Sequence, residues 1–438
     1  MRVVCIVSCV LILLFSGIIA KEYTLEECIK MSVETNPDLT ASRNAVSTAK
    51  STVLNQAGQF LPSASASLSG SSTHSGPTAA SYQTIGGVTY YDSGGPAVNS
   101  KRYSMGLNLN YTLFDGLQNV WGYLGSKASQ RQSEQQYVIQ RANQVYAVKN
   151  DYYQALKTKK DLEVAQEAVK RSEELLKLFQ EKFQVGSASK SEVLKQQVQS
   201  GNDQLTLVLK DNAQKTALDQ LALDIGIDPK SEFSVADIPA SQDQTIGSMD
   251  DLIAKASKSH PALLANQAAL DAYRYDVRSA WGTYLPNLAM NYSYSWNKGH
   301  FSDVIKGGPY DHSGTLSMSL TYNIFDGFSR ERNMKRAQMG LANSRAAYAF
   351  ARNQIIKDIQ DAYLSIELAE ETRKVTDETE KAASEDMDLV QAKYNLGSAA
   401  LWELLDAQVS LRTAQFNKVA AEFDYYKALA GLQRAMGE

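Results

Sequence analysis

Two carboxylates, Glu403 and Asp406, stand three positions apart in the stretch "LWELLDAQV". On a helix that spacing sets both on one face. Such a pair can attract cations, although on its own it is an ordinary solvated helix surface. The matching places 211 positions earlier hold Glu192 but Lys195, so only the later stretch is doubly acidic. A second polar group, His300, Asp303, Asp311 and His312, has metal-ligating residue types, yet its composition is better read as a polar surface loop. The four histidines, His74, His260, His300 and His312, are not paired with a nucleophile, and no Walker-type phosphate loop occurs. No Met/His ladder suggests heavy-metal export. Neither an enzyme nor a cofactor nor a resident metal is expected.

The elements that would position these residues begin after a leader. Arg2, the apolar run Val3–Phe15 and the small residues to Ala20 read as an export signal over 1–20. Beyond it no apolar run approaches the ~18 residues of a spanning helix, so any membrane passage must be a barrel. Cys5 and Cys9 leave with the leader, and Cys28 alone cannot form an intramolecular disulfide. "EECIK" lacks the small residues of a lipoprotein cleavage site. The formal charge of −4 and the absence of a basic patch argue against nucleic acid.

The chain is written twice. Thr24, Glu27, Pro37, Leu39 and Pro62 match Ser248, Asp251, Pro261, Leu263 and Pro286 at an offset of 224. "YTLFDG" (Tyr111–Gly116) and "YNIFDG" (Tyr322–Gly327) match at 211, as do Lys182–Val198 and Lys393–Val409. The difference of 13 residues falls between Pro62 and Tyr111, which predicts a longer loop in the first copy.

Each copy has a capped helix, a proline, a second helix, two strands and two long helices. In Tyr103–Leu113, Met105, Leu107, Leu109 and Tyr111 alternate with Gly106, Asn108 and Asn110. Leu316, Met318, Leu320, Tyr322 and Ile324 repeat the pattern, and Leu288–Trp296 does so independently. These runs are uncharged, with Tyr and Trp toward their ends, as in membrane strands. The stretch 116–184 reads as helix and would reach roughly 100 Å, with a coiled-coil seam at Leu162, Ala165, Val169, Ser172, Leu176, Phe179 and Phe183. Phe416, Val419, Phe423, Tyr426 and Ala430 keep that rhythm. Glycine turns at Gly186 and Gly397 join descending and ascending helices. At each strand-to-helix junction Phe114 or Phe325 packs at the rim, Asp115 or Asp326 caps the helix, and Gly116 or Gly327 permits the bend. Four strands cannot close a barrel, so the chain must oligomerise, in a number that this argument alone does not fix.

The repeated strand-FDG-helix order, the glycine turns and the "LP" dipeptides at Pro62 and Pro286 resemble the TolC-like outer membrane efflux protein (outer membrane factor) family. The likeness covers essentially the whole chain after the leader. It implies a mixed α/β membrane protein: a homotrimer with a twelve-stranded barrel in outer-membrane lipid, continued by a periplasmic helical tunnel. Its partners would be a periplasmic adaptor (membrane fusion) protein and an inner-membrane pump. The residues meeting the adaptor would be Val185, Gly186, Ser187, Leu396, Gly397 and Ser398. Glu403 and Asp406 would ring a closed entrance, with Tyr394 beside it. Some members carry a basic residue two steps after the glycine, where this chain has Ala399, so closure would rest more on Trp402 and Tyr394.

Domain boundaries follow: a first repeat over 21–228 (strands 60–75 and 101–114, helices 116–184 and 190–225) and a linker over 229–247. The second repeat spans 248–438 (strands 285–298 and 313–325, helices 327–395 and 401–435). The expected location is the outer membrane of a Gram-negative bacterium, with efflux or type I secretion as the task. The rival reading, an exported coiled-coil surface protein without transport, explains the helices but not the duplicated uncharged strands.

Overall fold

The computed structural model describes residues 21–238, 246–306 and 312–438. The leader, Asp311 and part of the linker lie outside the described residues. The first copy contains β1 (Lys21–Tyr23), α1 (Leu25–Thr35), α2 (Pro37–Gly58), β2 (Ser63–Ser75), β3 (Ser81–Ile85), β4 (Val88–Asp92), β5 (Val98–Phe114), α3 (Gln118–Gln184) and α4 (Lys190–Ile225). After β6 (Phe233–Val235), the second contains α5 (Met249–Ser259), α6 (Pro261–Gly282), β7 (Asn287–Lys298), α7 (Phe301–Lys306), β8 (His312–Thr321), α8 (Ser329–Asn395) and α9 (Leu401–Ala435). Compact units do not follow the copies. Of the described residues, one gathers those within 21–44, 134–264 and 349–438, the other those within 45–133 and 265–348.

The second of these units holds a four-stranded antiparallel sheet in the order β2-β5-β7-β8. Its register keeps each face uniform. Leu68 pairs with Met105 and Met105 with Trp296, while Leu109 pairs with Tyr292 and Tyr292 with Leu316. On the other face Ser67 meets Gly106, Gly106 meets Ser295, and Asn110 meets Asn291. A one-residue slip would exchange these faces, so the alternation fixes the pairing. The longer first-copy connection is the hairpin β3–β4, turned at Gly86 and Gly87, both with positive φ.

Several boundaries differ from the sequence reading. The strands expected from 60, 101 and 285 begin at Ser63, Val98 and Asn287. The strand expected over 313–325 stops at Thr321, leaving Tyr322 and Ile324 outside it. Thr321 pairs with Asn287, the first residue of β7, and β7 has nothing further to offer. The helices expected from 116 and 327 begin at Gln118 and Ser329. The cause is a pair of left-handed residues, Gly116–Leu117 (φ 71° and 65°) and Gly327–Phe328 (φ 65° and 64°).

The helical unit starts from well-made caps. Thr24 and Glu27 exchange bonds at 3.0 and 3.3 Å, and Ser248 accepts from the Asp251 N–H at 3.2 Å. Pro37 and Pro261 open α2 and α6 at the position that needs no N–H donor, and the preceding Asn36 and His260 side chains accept from the first turn. The parallel pair β1–β6, absent from the sequence reading, is pinned by Tyr152. Its hydroxyl donates toward Ala236 O (2.7 Å) and Tyr23 O (3.1 Å) over a core of Cys28, Leu156, Leu221 and Ile225.

The α3 seam keeps its heptad period, but the buried line is Asp161, Ala165, Ala168, Ser172, Leu175 and Phe179. Leu162, Val169 and Leu176 are only half-buried, and Phe183 is exposed. Asp161 tolerates burial because Lys210 (2.8 Å) and Lys157 (3.4 Å) neutralise it. On α9, Phe423 and Ala430 are buried, whereas Phe416, Val419 and Tyr426 are half-buried. Among the described residues no helix is long and apolar enough to cross a membrane.

Candidate functional site

The two glycine turns share their glycine and serine bonds. Gly186 (φ 77°) donates to Phe183 O at 3.0 Å, and Gly397 (φ 74°) to Tyr394 O at 3.0 Å. Ser187 donates through both N–H (2.8 Å) and hydroxyl (3.0 Å) to Lys182 O. Ser398 does the same to Lys393 O at 2.9 and 3.0 Å. The serines therefore satisfy the last carbonyls of α3 and α8, a role the residue types alone did not reveal. Val185 and Leu396, one residue before each glycine, are largely exposed to solvent.

The ascending helices begin differently. Ser189 and Glu192 form a complete capping box, with Glu192 accepting the Ser189 N–H at 2.6 Å. In the second copy the cap residue is Ala400, which has no side-chain acceptor, and only Glu403 reaches back, accepting the Ala400 N–H at 3.0 Å. Glu403 is thus engaged in holding its own helix start. Asp406, three residues on, is exposed.

Both hairpins share one core near these turns. Phe179 of α3 packs with Met387 and Val390 of α8 and with Leu401, Leu404, Ala407 and Leu411 of α9. Tyr394 lies on the Phe179 ring (centroids 5.4 Å apart) with Lys182 Nζ 5.0 Å above it. Its phenol lies beside the Glu192 carboxylate, and burial, then that carboxylate, pushes its pKa up. The structure thus brings Tyr394 and Glu192 together across the copies. Trp402 is exposed and takes no part in this core.

Further along α4 and α9, Asp203 is buried in an ion pair with Arg412 and also accepts from Gln199 at 3.1 Å. Gln408 and Gln196 lie buried in the same region, and Gln196 donates to Ser172 O at 3.1 Å. Sequence reasoning missed this polar layer, because Asp203 and Arg412 stand 209 positions apart and neither carries a local signal of the other. Cys28 is fully buried, which pushes its thiol up to about 11 and leaves it unreactive. Among the described residues no group of three His, Cys, Asp or Glu could hold a metal ion.

At the strand-to-helix junctions, Asp115 accepts from the Asn119 N–H at 2.8 Å. Asp326 accepts from Ser329 (3.1 Å) and Arg330 (3.2 Å). Phe325 stacks edge-on against Phe328 (5.5 Å). Phe114 is among the exposed large apolar residues.

A duplicated pair of alternating strands, uncharged over Tyr103–Phe114 and Asn287–Asn297, with each pair feeding a long glycine-turned hairpin, fits an outer-membrane channel subunit. The chain belongs to the outer membrane efflux protein family, whose model matches residues 28–226 and 252–438. It is similar to the outer membrane protein TolC of Vibrio cholerae serotype O1, 22% identical over 338 residues, covering 76% of each chain. Protein CyaE of Bordetella pertussis is 24% identical over 335 residues, covering 76% of this chain and 70% of that one. In fold it matches the crystal structure of the Campylobacter jejuni CmeC outer membrane channel, with a TM-score of 0.79 at 18% identity, over 94% of this chain and 85% of that one. The chain is an outer-membrane channel protein of the efflux and secretion class.

Proposed function

We propose that this protein is the trimeric exit duct of a tripartite efflux or type I secretion assembly. It would dock a periplasmic adaptor and inner-membrane pump through its hairpin turns. The observation that carries the reading is the common core of the two hairpins. Phe179, Tyr394 and Leu404 lock α3, α8 and α9 together while Val185 and Leu396 stay apolar and exposed beside them. An exposed apolar residue on a backbone-bonded turn is a rigid, low-entropy contact for another hairpin. The four-stranded sheet supports oligomerisation, because membrane barrels close from about eight strands upward and open edges in lipid are costly.

In this reading Asp406, exposed on α9, and Glu403 one turn before it contribute carboxylates around the entrance and favour cations there. Tyr394 and Glu192 hold the entrance closed. Reconstitution into planar bilayers tests this. Cation-selective channels should appear, and Asp406→Asn should reduce selectivity while leaving the helix cap intact. Absence of any conductance from purified, folded oligomer would contradict the reading and favour a structural coiled-coil protein.

A further inference from the structure

The two junction glycines have equivalent backbones but unequal surroundings. Gly116 and Gly282 are both buried against each other. A Cβ placed on Gly116 would fall 2.2 Å from Gly282 O, and one on Gly282 would fall 2.5 Å from Gly116 O. Two backbones cross here at a distance that only glycine permits. The duplication maps Gly116 onto Gly327 and Gly282 onto Gly58. Gly327 keeps the left-handed φ of its twin, 65° against 71°. Yet Gly327 and Gly58 are exposed, and a Cβ on either would meet nothing within 4 Å. The side chains around them follow suit. Phe325 is 71% exposed where Phe114 is 37%, and Ile324 is 85% exposed where Leu113 is 42%.

The sheet repeats this asymmetry. The contact between the copies is β5 on β7, whereas β8 and β2, their equivalents, form the two open edges. From these observations we infer that Gly327 of one protomer crosses Gly58 of a second copy of this chain, as Gly116 crosses Gly282 within it. The inference rests on the homo-oligomeric reading above and adds its register. Leu109 pairs with Tyr292, which places Leu320 opposite Leu68 of the next copy. Tyr111 pairs with Met290, which places Tyr322 opposite Ala66 of the next copy and extends β8 past Thr321. Leu320 and Leu68 both lie on the apolar face, since Leu68 pairs with Met105 and Leu320 with Leu288. The faces therefore stay continuous across the joint.

Gly58 consequently serves assembly and not the folding of one chain. It ends a helix without positive φ, so alanine there strains nothing within the protomer. The test uses the full chain in its native outer membrane. Oxidation of a Leu68→Cys/Leu320→Cys variant should give covalent oligomers at least tenfold more abundant than from Leu68→Cys/Leu316→Cys, which is four residues out of register. Gly58→Ala should lower the SDS-resistant oligomer at least tenfold with the amount of chain unchanged, whereas Gly282→Ala should lower the folded chain itself. Preferential cross-linking of the Leu316 pair, or wild-type oligomer in Gly58→Ala, would overturn the crossing while leaving oligomerisation intact. No cross-link from either pair, together with a monomer in mild detergent, would overturn the homo-oligomeric reading as well.

Discussion

The Tyr394 phenol of α8 lies beside the Glu192 carboxylate of α4, which also caps the start of its own helix. One carboxylate of the first hairpin therefore faces the second. Tyr394→Phe removes the phenol beside Glu192 and keeps the ring on Phe179, so a modest rise in single-channel conductance is expected. Glu192→Ala removes the carboxylate beside Tyr394 and the reciprocal cap together, at about 1 kcal/mol for the cap alone. Its conductance should rise further, and equal conductance in both variants would separate the cap from closure.

The Asp203–Arg412 pair gives a sharper stability prediction. Asp203 is nearly inaccessible, so Arg412→Leu leaves a charge buried without its partner, at about 3–5 kcal/mol. The double variant Asp203→Leu/Arg412→Leu should recover most of that loss, because two well-packed apolar side chains replace the pair. Thermal unfolding in detergent measures both; a double variant as unstable as the single would contradict the assignment.

Asp224 sets a pH dependence. Burial, and then the adjacent Asp151 carboxyl, push its pKa up to about 7. A carboxyl raised in the folded state binds its proton more tightly there than in the unfolded chain. Its contribution is present below the unfolded value near ~3.9 and is lost as pH rises toward 7. The melting temperature should therefore fall between pH 5 and pH 8, and Asp224→Asn should flatten that slope. An unchanged slope would place the titration elsewhere.

The turn glycines should respond through backbone strain alone, since a Cβ on Gly186 or Gly397 meets nothing within 4 Å. Alanine at either costs about 1–2 kcal/mol in the left-handed conformation. Limited proteolysis should show earlier cleavage at the altered turn, with the barrel-side sheet unaffected.

Much of this arrangement was legible because it is local or repeated. The Asp115 and Asp326 caps, the alternating strand faces and both glycine turns rest on spacings a few residues wide, and the duplication presents each twice. What escaped were contacts fixed by distant partners. Asp203 reads as a solvated charge until Arg412 is placed beside it, 209 positions away. Leu175 and Leu176 are equivalent to a heptad count, and only the facing helices choose Leu175. The left-handed Leu117 and Phe328 break the preference of L-residues and are held by the junction around them. Tyr322 and Ile324 continue the strand pattern, but a strand needs a neighbour, and β7 ends opposite Thr321.

The central claim is that the hairpin turns meet a periplasmic adaptor. The most direct measurement places a photo-crosslinking residue at Leu396, which is exposed and makes no side-chain hydrogen bond, in the native cell envelope. Capture of an adaptor of the membrane-fusion class, lost when the crosslinker is moved to buried Leu404, is the predicted result. Capture of neighbouring copies alone, with transport at wild-type levels, would contradict the claim.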